Sequence, residues 1–155
     1  MPRKMSQFLS LGADERWLLL QALLLLLLTA MALRLLSLRR LSATLARFTS
    51  ASPGPVRDGA QVFAQAQTTK RMINLAARYG PIHATCLHRS LVLWWLLRRQ
   101  GMACDLRIGV RKAAGQFQAH AWVEYQGDPL NASRAVHQPF RAFDQDIMPA
   151  LGEWK

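Results

Sequence analysis

The longest uncharged stretch of the chain lies near its N-terminus and predicts an apolar helix there. No charged residue occurs from Trp17 to Leu33, and Leu23–Leu28 is an unbroken run of leucines. The stretch is at the short end of the roughly 17–25 residues that cross a bilayer. Helices that are apolar on every side also occur inside proteins. Three interpretations stay open: a membrane helix, a helix packed on protein, and a signal peptide cleaved near Ala30-Met31-Ala32.

Basic residues follow this stretch and indicate the orientation that the helix would have in a membrane. The four arginines that come soon after it are Arg34, Arg39, Arg40 and Arg47. If the helix spans a membrane, the positive-inside rule places residues 34–155 in the cytoplasm. We therefore predict a cytoplasmic protein with a candidate membrane contact through residues 17–36.

A linker divides the chain into two parts. Ser50–Pro55 consists almost entirely of serine, alanine, proline and glycine, which is a loop composition. We predict an N-terminal hydrophobic helical segment over residues 1–50 and a separate domain over residues 56–155. A length of 155 residues fits one domain plus such a segment.

The chain is strongly basic, with 20 Lys and Arg against 9 Asp and Glu and a formal net charge of +11. This excess suits an acidic peptide, a nucleic acid or an anionic membrane surface, and does not choose among them. Because the charges are spread along the chain and no nucleic-acid motif occurs, we predict no nucleic-acid partner. Two cysteines are too few for a disulfide scaffold, which favours reduced thiols in the cytoplasm.

Apolar spacing predicts two helices in the second part of the chain. Residues 58–79 carry apolar side chains at helical intervals, and a Gly-Pro pair ends that helix. Thr85 then fits the N-cap of a helix that runs to about Gln100, with Gly101 just past its end. The broad apolar face of this second helix predicts that it is central to the core.

The apolar period then changes from helical to alternating, which predicts strands. In the second of them, His120 and Trp122 lie on the more polar face. A turn composition follows this strand, and we predict a domain of the α+β class. The predicted strands cover residues 106–110 and 117–125, a short piece from Leu130, and Pro139–Phe143.

Cys86 and His120 are the candidate catalytic residues. A thiol is nucleophilic only as thiolate, and a helix N-terminus favours negative charge. Cys86 follows the predicted N-cap, where free N–H groups also suit an oxyanion. His120 is a candidate base if the sheet packs against this helix. Spacing alone leaves two alternatives open, a buried structural thiol and a half-buried strand histidine.

The other cysteine and the nearby histidines have interpretations of their own. Cys104, just before a strand, fits a core thiol, and His88 fits local helix structure. His83 fits local structure or the lining of an oxyanion pocket. With Cys86 these are zinc-ligand types, but H-x2-C-x-H with a distant cysteine is not a standard zinc pattern. We predict neither a metal nor a cofactor.

Four motifs occur together in this part of the chain. They are Ala84-Thr85-Cys86-Leu87-His88-Arg89-Ser90-Leu91, Leu96-Leu97-Arg98-Arg99-Gln100-Gly101, Gly109-Val110-Arg111-Lys112 and Ala119-His120-Ala121-Trp122-Val123-Glu124. In combination they resemble the transglutaminase-like leader peptidase of lasso-peptide biosynthesis, the microcin-processing protease, over about residues 70–132. The resemblance implies a transglutaminase/papain-like core, with a nucleophile helix packed on a small antiparallel sheet. The N-terminal hydrophobic helix precedes that core.

The resemblance also implies an activity and partners. Such enzymes are cysteine peptidases that remove the leader of a ribosomally made lasso precursor peptide, which frees the core for a separate ATP-dependent cyclase. By this resemblance Cys86 is the nucleophile and His120 the base. Residues 1–60 offer no fused leader-binding domain, so a separate leader-binding protein is expected. The alternatives are a non-catalytic scaffold of the same fold that binds the precursor or the cyclase, and a membrane-anchored interaction protein.

The residue that orients His120 is the least defined part of the predicted site. The family usually has an acid on the strand after the hairpin, where this chain offers Asn131. A four-residue hairpin loop pairs Asn131 with Trp122 and makes it the diagonal neighbour of His120. A three-residue loop turns Asn131 away. We predict Asn131, with Asp128 and Asp144 as the next candidates.

Overall fold

The computed structural model describes residues 12–37, 40–41, 43–44, 58–113, 115–131 and 141–142. The helices there are α1 (Ala13–Leu35), α2 (Gly59–Tyr79) and α3 (Cys86–Arg99). The strands are β1 (Asp105–Ala113), β2 (Gln116–Tyr125), β3 (Asp128–Pro129) and β4 (Arg141–Ala142). The predicted α+β class is confirmed. The predicted boundary between segments 1–50 and 56–155 lies outside the described residues.

Helix α1 packs one face on α2 and α3 and leaves the opposite face exposed. The packed face buries Ala22, Leu26 and Thr29. The Thr29 hydroxyl donates to the carbonyls of Leu25 and Leu26 at 2.8 and 3.1 Å, so no polar group is left unsatisfied there. By length and composition α1 could cross a membrane, although here it lies against the protein. The exposed apolar stripe of α1 consists of Trp17, Leu20, Leu24, Leu28, Met31 and Leu35.

Helix α2 follows the prediction closely. Its N-cap is Asp58, whose carboxylate accepts a hydrogen bond from Ala60 N at 3.3 Å. It ends at Gly80, where a Cβ atom would lie 2.5 Å from the Ala76 carbonyl oxygen and 2.9 Å from Leu23 Cδ1. The Leu23 side chain could shift, but the Ala76 carbonyl belongs to the backbone of α2, so this end of the helix requires glycine. The buried residues recur at helical spacing and are Val62, Ala66, Thr69, Met72, Ile73 and Ala76.

Helix α3 is the central helix of the core, as predicted. Thr85 is its N-cap, and Gly101 follows its C-cap with φ of +81°. The N–H groups of Gly101 and Met102 donate to the carbonyls of Arg98 and Leu97 at 2.9 and 3.0 Å, which is a Schellman end. The buried apolar residues of α3 are Leu91, Val92, Leu93, Trp94, Leu96 and Leu97.

The strands form an antiparallel sheet in the order β3-β2-β1-β4. In the β1–β2 pair, His120 lies opposite Gly109. Leu106 of β1 and Val123 of β2 join the core cluster beneath α3. This packing brings the N-terminal end of α3 to the histidine strand. The predicted strand at Pro139–Phe143 is represented by β4, which pairs with β1.

The hairpin between β2 and β3 settles the register. Tyr125 pairs with Asp128, and the two residues between them have φ of 51° and 84°, as in a tight hairpin turn. Leu130 N then donates to the Val123 carbonyl at 2.8 Å. This is the register of the predicted four-residue loop, which puts Asn131 opposite Trp122. The three-residue alternative is wrong. The strand predicted from Leu130 is also misplaced, because β3 consists of Asp128–Pro129 and ends before Leu130.

Candidate active site

Cys86 and His120 line one pocket, which has a volume of about 200 Å³. Asn131 lines the same pocket, so the structure brings the three predicted site residues together. Helix α3 contributes the cysteine, β2 the histidine, and the segment after β3 the asparagine. The condition set for His120, a sheet packed against the cysteine helix, is met.

Cys86 is the first residue of α3 and is partly exposed. The first hydrogen bond of the helical ladder runs from Arg89 N to the Thr85 carbonyl, at 3.2 Å. The main-chain N–H groups of Cys86 and the next two residues therefore precede the ladder. They and the positive end of the helix dipole can stabilise the oxyanion that forms when the Cys86 sulfur attacks a carbonyl.

His120 belongs to a row of side chains on one face of β2. Its ring stacks with that of Trp122, with centroids 6.1 Å apart and an angle of 18° between planes. Trp122 is 2% exposed, and its Nε1 donates to Glu124 Oε1 at 2.7 Å. The other oxygen of Glu124 accepts from Arg107 Nε of β1 at 3.3 Å. Because Trp122 is packed and hydrogen-bonded, it restricts where the imidazole can lie.

A chain of hydrogen bonds joins α3 to β2. The Ser90 hydroxyl donates to the Ala121 carbonyl at 2.9 Å and accepts from Asn131 Nδ2 at 2.8 Å. Asn131 Oδ1 in turn accepts from Val123 N at 2.8 Å. Ser90 is 0% exposed and its bond to Ala121 is buried, whereas the two bonds of Asn131 are part-buried. We call these four residues the Ser90–Asn131 clamp.

The clamp connects the two elements that carry the reactive groups. Ser90 lies one helical turn after Cys86, and Ala121 is the neighbour of His120 in β2. A shift of α3 along the strand would break these hydrogen bonds, and a buried partner that is left unsatisfied costs about 1–3 kcal/mol. The clamp therefore fixes the spacing between the nucleophile helix and the histidine strand.

Asn131 has a structural role that the sequence did not indicate. Its side chain takes the Val123 N–H that a further residue of β3 would otherwise use, which ends the strand pairing there. Its role as the residue that orients His120 stays a prediction. Asp128 is exposed and pairs with Tyr125, about 16 Å along β2 from His120. Asp144 lies outside the described residues.

The other cysteine and the two nearby histidines lie outside the pocket of Cys86. Cys104 is fully buried, and burial raises the pKa of its thiol to about 12. His88 Nδ1 receives a hydrogen bond from Thr85 N at 3.2 Å, and burial lowers the pKa of its ring. The predictions of a core cysteine and a local helix histidine are confirmed. His83 is exposed and does not line the pocket of Cys86.

The zinc alternative has no geometric basis. Cys86 and Cys104 lie at opposite ends of α3, a helix about 20 Å long. In the part of the chain that the structure describes, no group of three or more His, Cys, Asp or Glu side chains could hold a metal ion.

Lys70 and Asn74 of α2 and Arg89 of α3 also line the pocket, although the sequence analysis gave them no role. Lys70 and Asn74 are spaced for one face of a helix, but only the packing of α2 shows which face. The signal for Ser90 was a hydroxyl within the apolar face of α3. None of the described residues that line the pocket is acidic, so its charge is positive.

The comparisons with known proteins agree with this arrangement. A family model for the transglutaminase-like superfamily matches residues 25–143, which include all three helices in whole or part and the strands of the site. No curated protein and no solved structure matches the chain significantly. With more than half of its residues matched, the chain belongs to the transglutaminase-like superfamily.

Proposed function

We propose that this protein is a cysteine peptidase in which Cys86 is the nucleophile and His120 the general base. The superfamily includes cysteine peptidases. The observation that carries the proposal is the pocket that Cys86, at the N-terminus of a buried helix, shares with His120. Thiolate and imidazole are the pair that acyl transfer from a peptide bond requires.

The reaction follows from the groups in the pocket. His120 takes the Cys86 proton, and the thiolate attacks the scissile carbonyl carbon. The oxyanion that forms is stabilised by N–H groups at the start of α3. His120 then gives its proton to the leaving amine, which leaves a thioester on Cys86. Water deprotonated by His120 hydrolyses the thioester and restores the free thiol.

The substrate we propose is the leader region of a lasso precursor peptide. The combination of four motifs around Cys86 and His120 supports this choice. The products are the free leader and a core peptide with a new N-terminus, which a separate ATP-dependent cyclase would close. A separate leader-binding protein would present the precursor. The positive pocket suits a peptide that carries acidic residues.

The proposed location is the cytoplasm, with a membrane contact through the exposed apolar stripe of α1. Because the other face of α1 packs on α2 and α3, the helix would lie along the membrane surface. Flotation with vesicles that contain anionic phospholipid tests this contact. We expect the protein to float, the Leu24→Glu, Leu28→Glu double variant to stay at the bottom, and Phe63→Glu, an exposed position on α2, to float. Wild-type protein that stays at the bottom contradicts the contact.

The enzymatic proposal is tested by incubating the protein with candidate lasso precursors and their leader-binding protein. Mass spectrometry then detects the free leader and core. We expect Cys86→Ala to lower cleavage by at least about 10³-fold, because the other thiol, that of Cys104, is buried and cannot form the thioester. His120→Ala should lower it by about 10²–10⁴-fold, the usual contribution of a general base.

Cys104→Ala is the matched control because it removes the other thiol of the chain from a buried position. It should cleave at nearly the wild-type rate. Equal cleavage by Cys86→Ala and the wild-type protein would contradict the proposal. A wild-type protein that binds the precursor tightly and never cleaves it would indicate the scaffold alternative.

A further inference from the structure

The pocket of Cys86 has a cationic wall. Lys70 of α2 and Arg89 of α3 line it together with the cysteine, and Arg89 is three residues after Cys86 on the same helix. In the described part of the chain, no carboxylate forms an ion pair with either side chain. Two cations that face a reactive thiol without a partner from the described residues offer binding energy to an anionic group of a ligand.

This wall continues along α2 into a second groove of about 300 Å³. The two cavities share Lys70 and Asn74 in their linings, so they are adjacent. The part of α2 that lines the second groove, from Gln67 to Arg78, is about 16 Å long at the rise of an α-helix. This is the length of about five residues of extended peptide. The residues of the second groove are Gln67, Lys70, Arg71, Asn74, Leu75 and Arg78, which form one stripe of α2.

Besides Lys70, which lines both cavities, the second groove has two cationic side chains, Arg71 and Arg78. Arg71 forms an ion pair with Glu15 of α1, which neutralises much of its charge. Arg78 lies near the ring of Tyr79 and is exposed. Lys70 and Arg89 are therefore the two cations that an acidic group beside Cys86 would contact, and neither forms an ion pair with a described carboxylate.

We propose that Lys70 and Arg89 form a subsite that binds an acidic side chain of the peptide beside the scissile bond. The inference rests on the proposed peptidase function for the identity of its ligand. A carboxylate held by both cations would align the peptide in the groove with its carbonyl at the thiol. A neutral side chain would gain no such ion pairs, so the enzyme would prefer substrates with Asp or Glu at this position.

Alkylation of Cys86 tests the subsite without any cleavage reaction. Iodoacetate and iodoacetamide both lose iodide as the thiolate sulfur forms a bond to their methylene carbon. Iodoacetate carries a carboxylate where iodoacetamide carries an amide. The ratio of their rate constants therefore reports how strongly the pocket attracts a carboxylate. Peptide mass spectrometry identifies modified Cys86, and N-acetylcysteine amide, which has no carboxylate, gives the ratio for a neutral thiol.

We expect a ratio of iodoacetate to iodoacetamide rate constants clearly above that of N-acetylcysteine amide. Lys70→Gln and Arg89→Gln should each lower it by about 2- to 5-fold, the range for partly exposed ion pairs. High salt should lower it as well. Lys112→Gln is the matched control, because it removes an exposed lysine at the turn end of the β1–β2 hairpin. It should leave the ratio unchanged.

A second measurement separates failure of the subsite from failure of the peptidase proposal. A library of synthetic peptides should be cut mainly next to Asp or Glu, and the Lys70→Glu, Arg89→Glu variant should prefer Lys or Arg instead. A raised alkylation ratio without any cleavage would reject the peptidase and retain the subsite. A ratio equal to that of N-acetylcysteine amide and unchanged in Lys70→Gln, or cleavage without preference for acidic residues, would overturn the subsite.

Discussion

The two ends of α3 each carry a cysteine, and their surroundings are opposite. Cys86 begins the helix and faces a pocket with a histidine and two cations. Cys104 follows the other end, is fully buried, and accepts a hydrogen bond at its carbonyl from Trp94 Nε1 at 3.1 Å. One thiol has the positive end of the helix dipole and a base, and the other has apolar packing. Position in the fold decides which of two identical side chains can react.

The comparison predicts its largest effect in thiol modification of the folded protein. Burial raises the Cys104 pKa from its ordinary value of 9.0 to about 12. A pKa that is higher by three units lowers the thiolate fraction of Cys104 near neutral pH by about 10³-fold. Burial also keeps reagents away from the sulfur. We expect iodoacetamide at pH 7.5 to modify Cys86 at least about 10³-fold faster than Cys104. Peptide mass spectrometry over time measures both rates, and similar rates would contradict the comparison.

The second prediction concerns stability at alkaline pH. A thiol whose pKa is raised by folding contributes stability that is complete below its unfolded pKa and is lost as the pH rises through the folded value. We expect the free energy of unfolding to fall between pH 9 and about 12 by up to about 4 kcal/mol from Cys104 alone. Urea unfolding at several pH values measures it. Cys104→Ala should flatten the dependence and Cys86→Ala should not, so equal slopes in both variants would refute the assignment.

The third prediction breaks the clamp at the reactive end of α3. Ser90→Ala leaves the Asn131 amide without its buried acceptor, so the free energy of unfolding should fall by about 1–3 kcal/mol. Cleavage should fall by about 10- to 100-fold in kcat with little change in KM, because nucleophile and base lose their spacing. Thiol modification of Cys86 at pH 6 should slow in parallel.

Thr29→Ala is the control for the clamp because it removes a buried hydroxyl that bonds only carbonyls of its own helix, α1. It should lower stability and leave the modification of Cys86 unchanged. If Ser90→Ala affects stability alone, as the control does, the clamp is structural and does not position the site.

The smallest predicted effect comes from Trp122, which lies beside His120 on one face of β2. Trp122→Phe keeps a ring beside His120 and loses the hydrogen bond to Glu124. We expect kcat to fall by about 3-fold, because the imidazole gains freedom while the base itself remains. Trp17→Phe, on the exposed stripe of α1, is the control and should have no effect. If Trp122→Phe lowered kcat as much as His120→Ala does, the stacking would contribute far more to catalysis than we infer.

Local features of the chain predicted the framework of the site. Thr85 and Gly101 marked both ends of α3, and alternation put His120 on β2, because capping and strand alternation depend on neighbouring residues. The motifs around Cys86 and His120 then pointed to one site. The clamp of Ser90 and Asn131 could not be predicted, since its partners are 41 residues apart and meet only through tertiary packing.

The surroundings of α1 and the cationic wall also could not be predicted from the sequence. A helix that is apolar on all sides has no periodicity that distinguishes a lipid contact from a protein contact. Packing on α2 and α3 is therefore a finding of the structure. Lys70 and Arg89 belong to different helices, and their sequence positions carry no sign that they share a pocket.

The central claim is that His120 activates Cys86, and the rate constant for alkylation of Cys86 by iodoacetamide at pH 6 tests it most directly. An unassisted thiol is almost entirely protonated at this pH. We predict that the wild-type protein reacts at least about 10-fold faster than N-acetylcysteine, and that His120→Ala loses most of this advantage. A wild-type rate equal to that of N-acetylcysteine, or a rate that His120→Ala leaves unchanged, would contradict the claim.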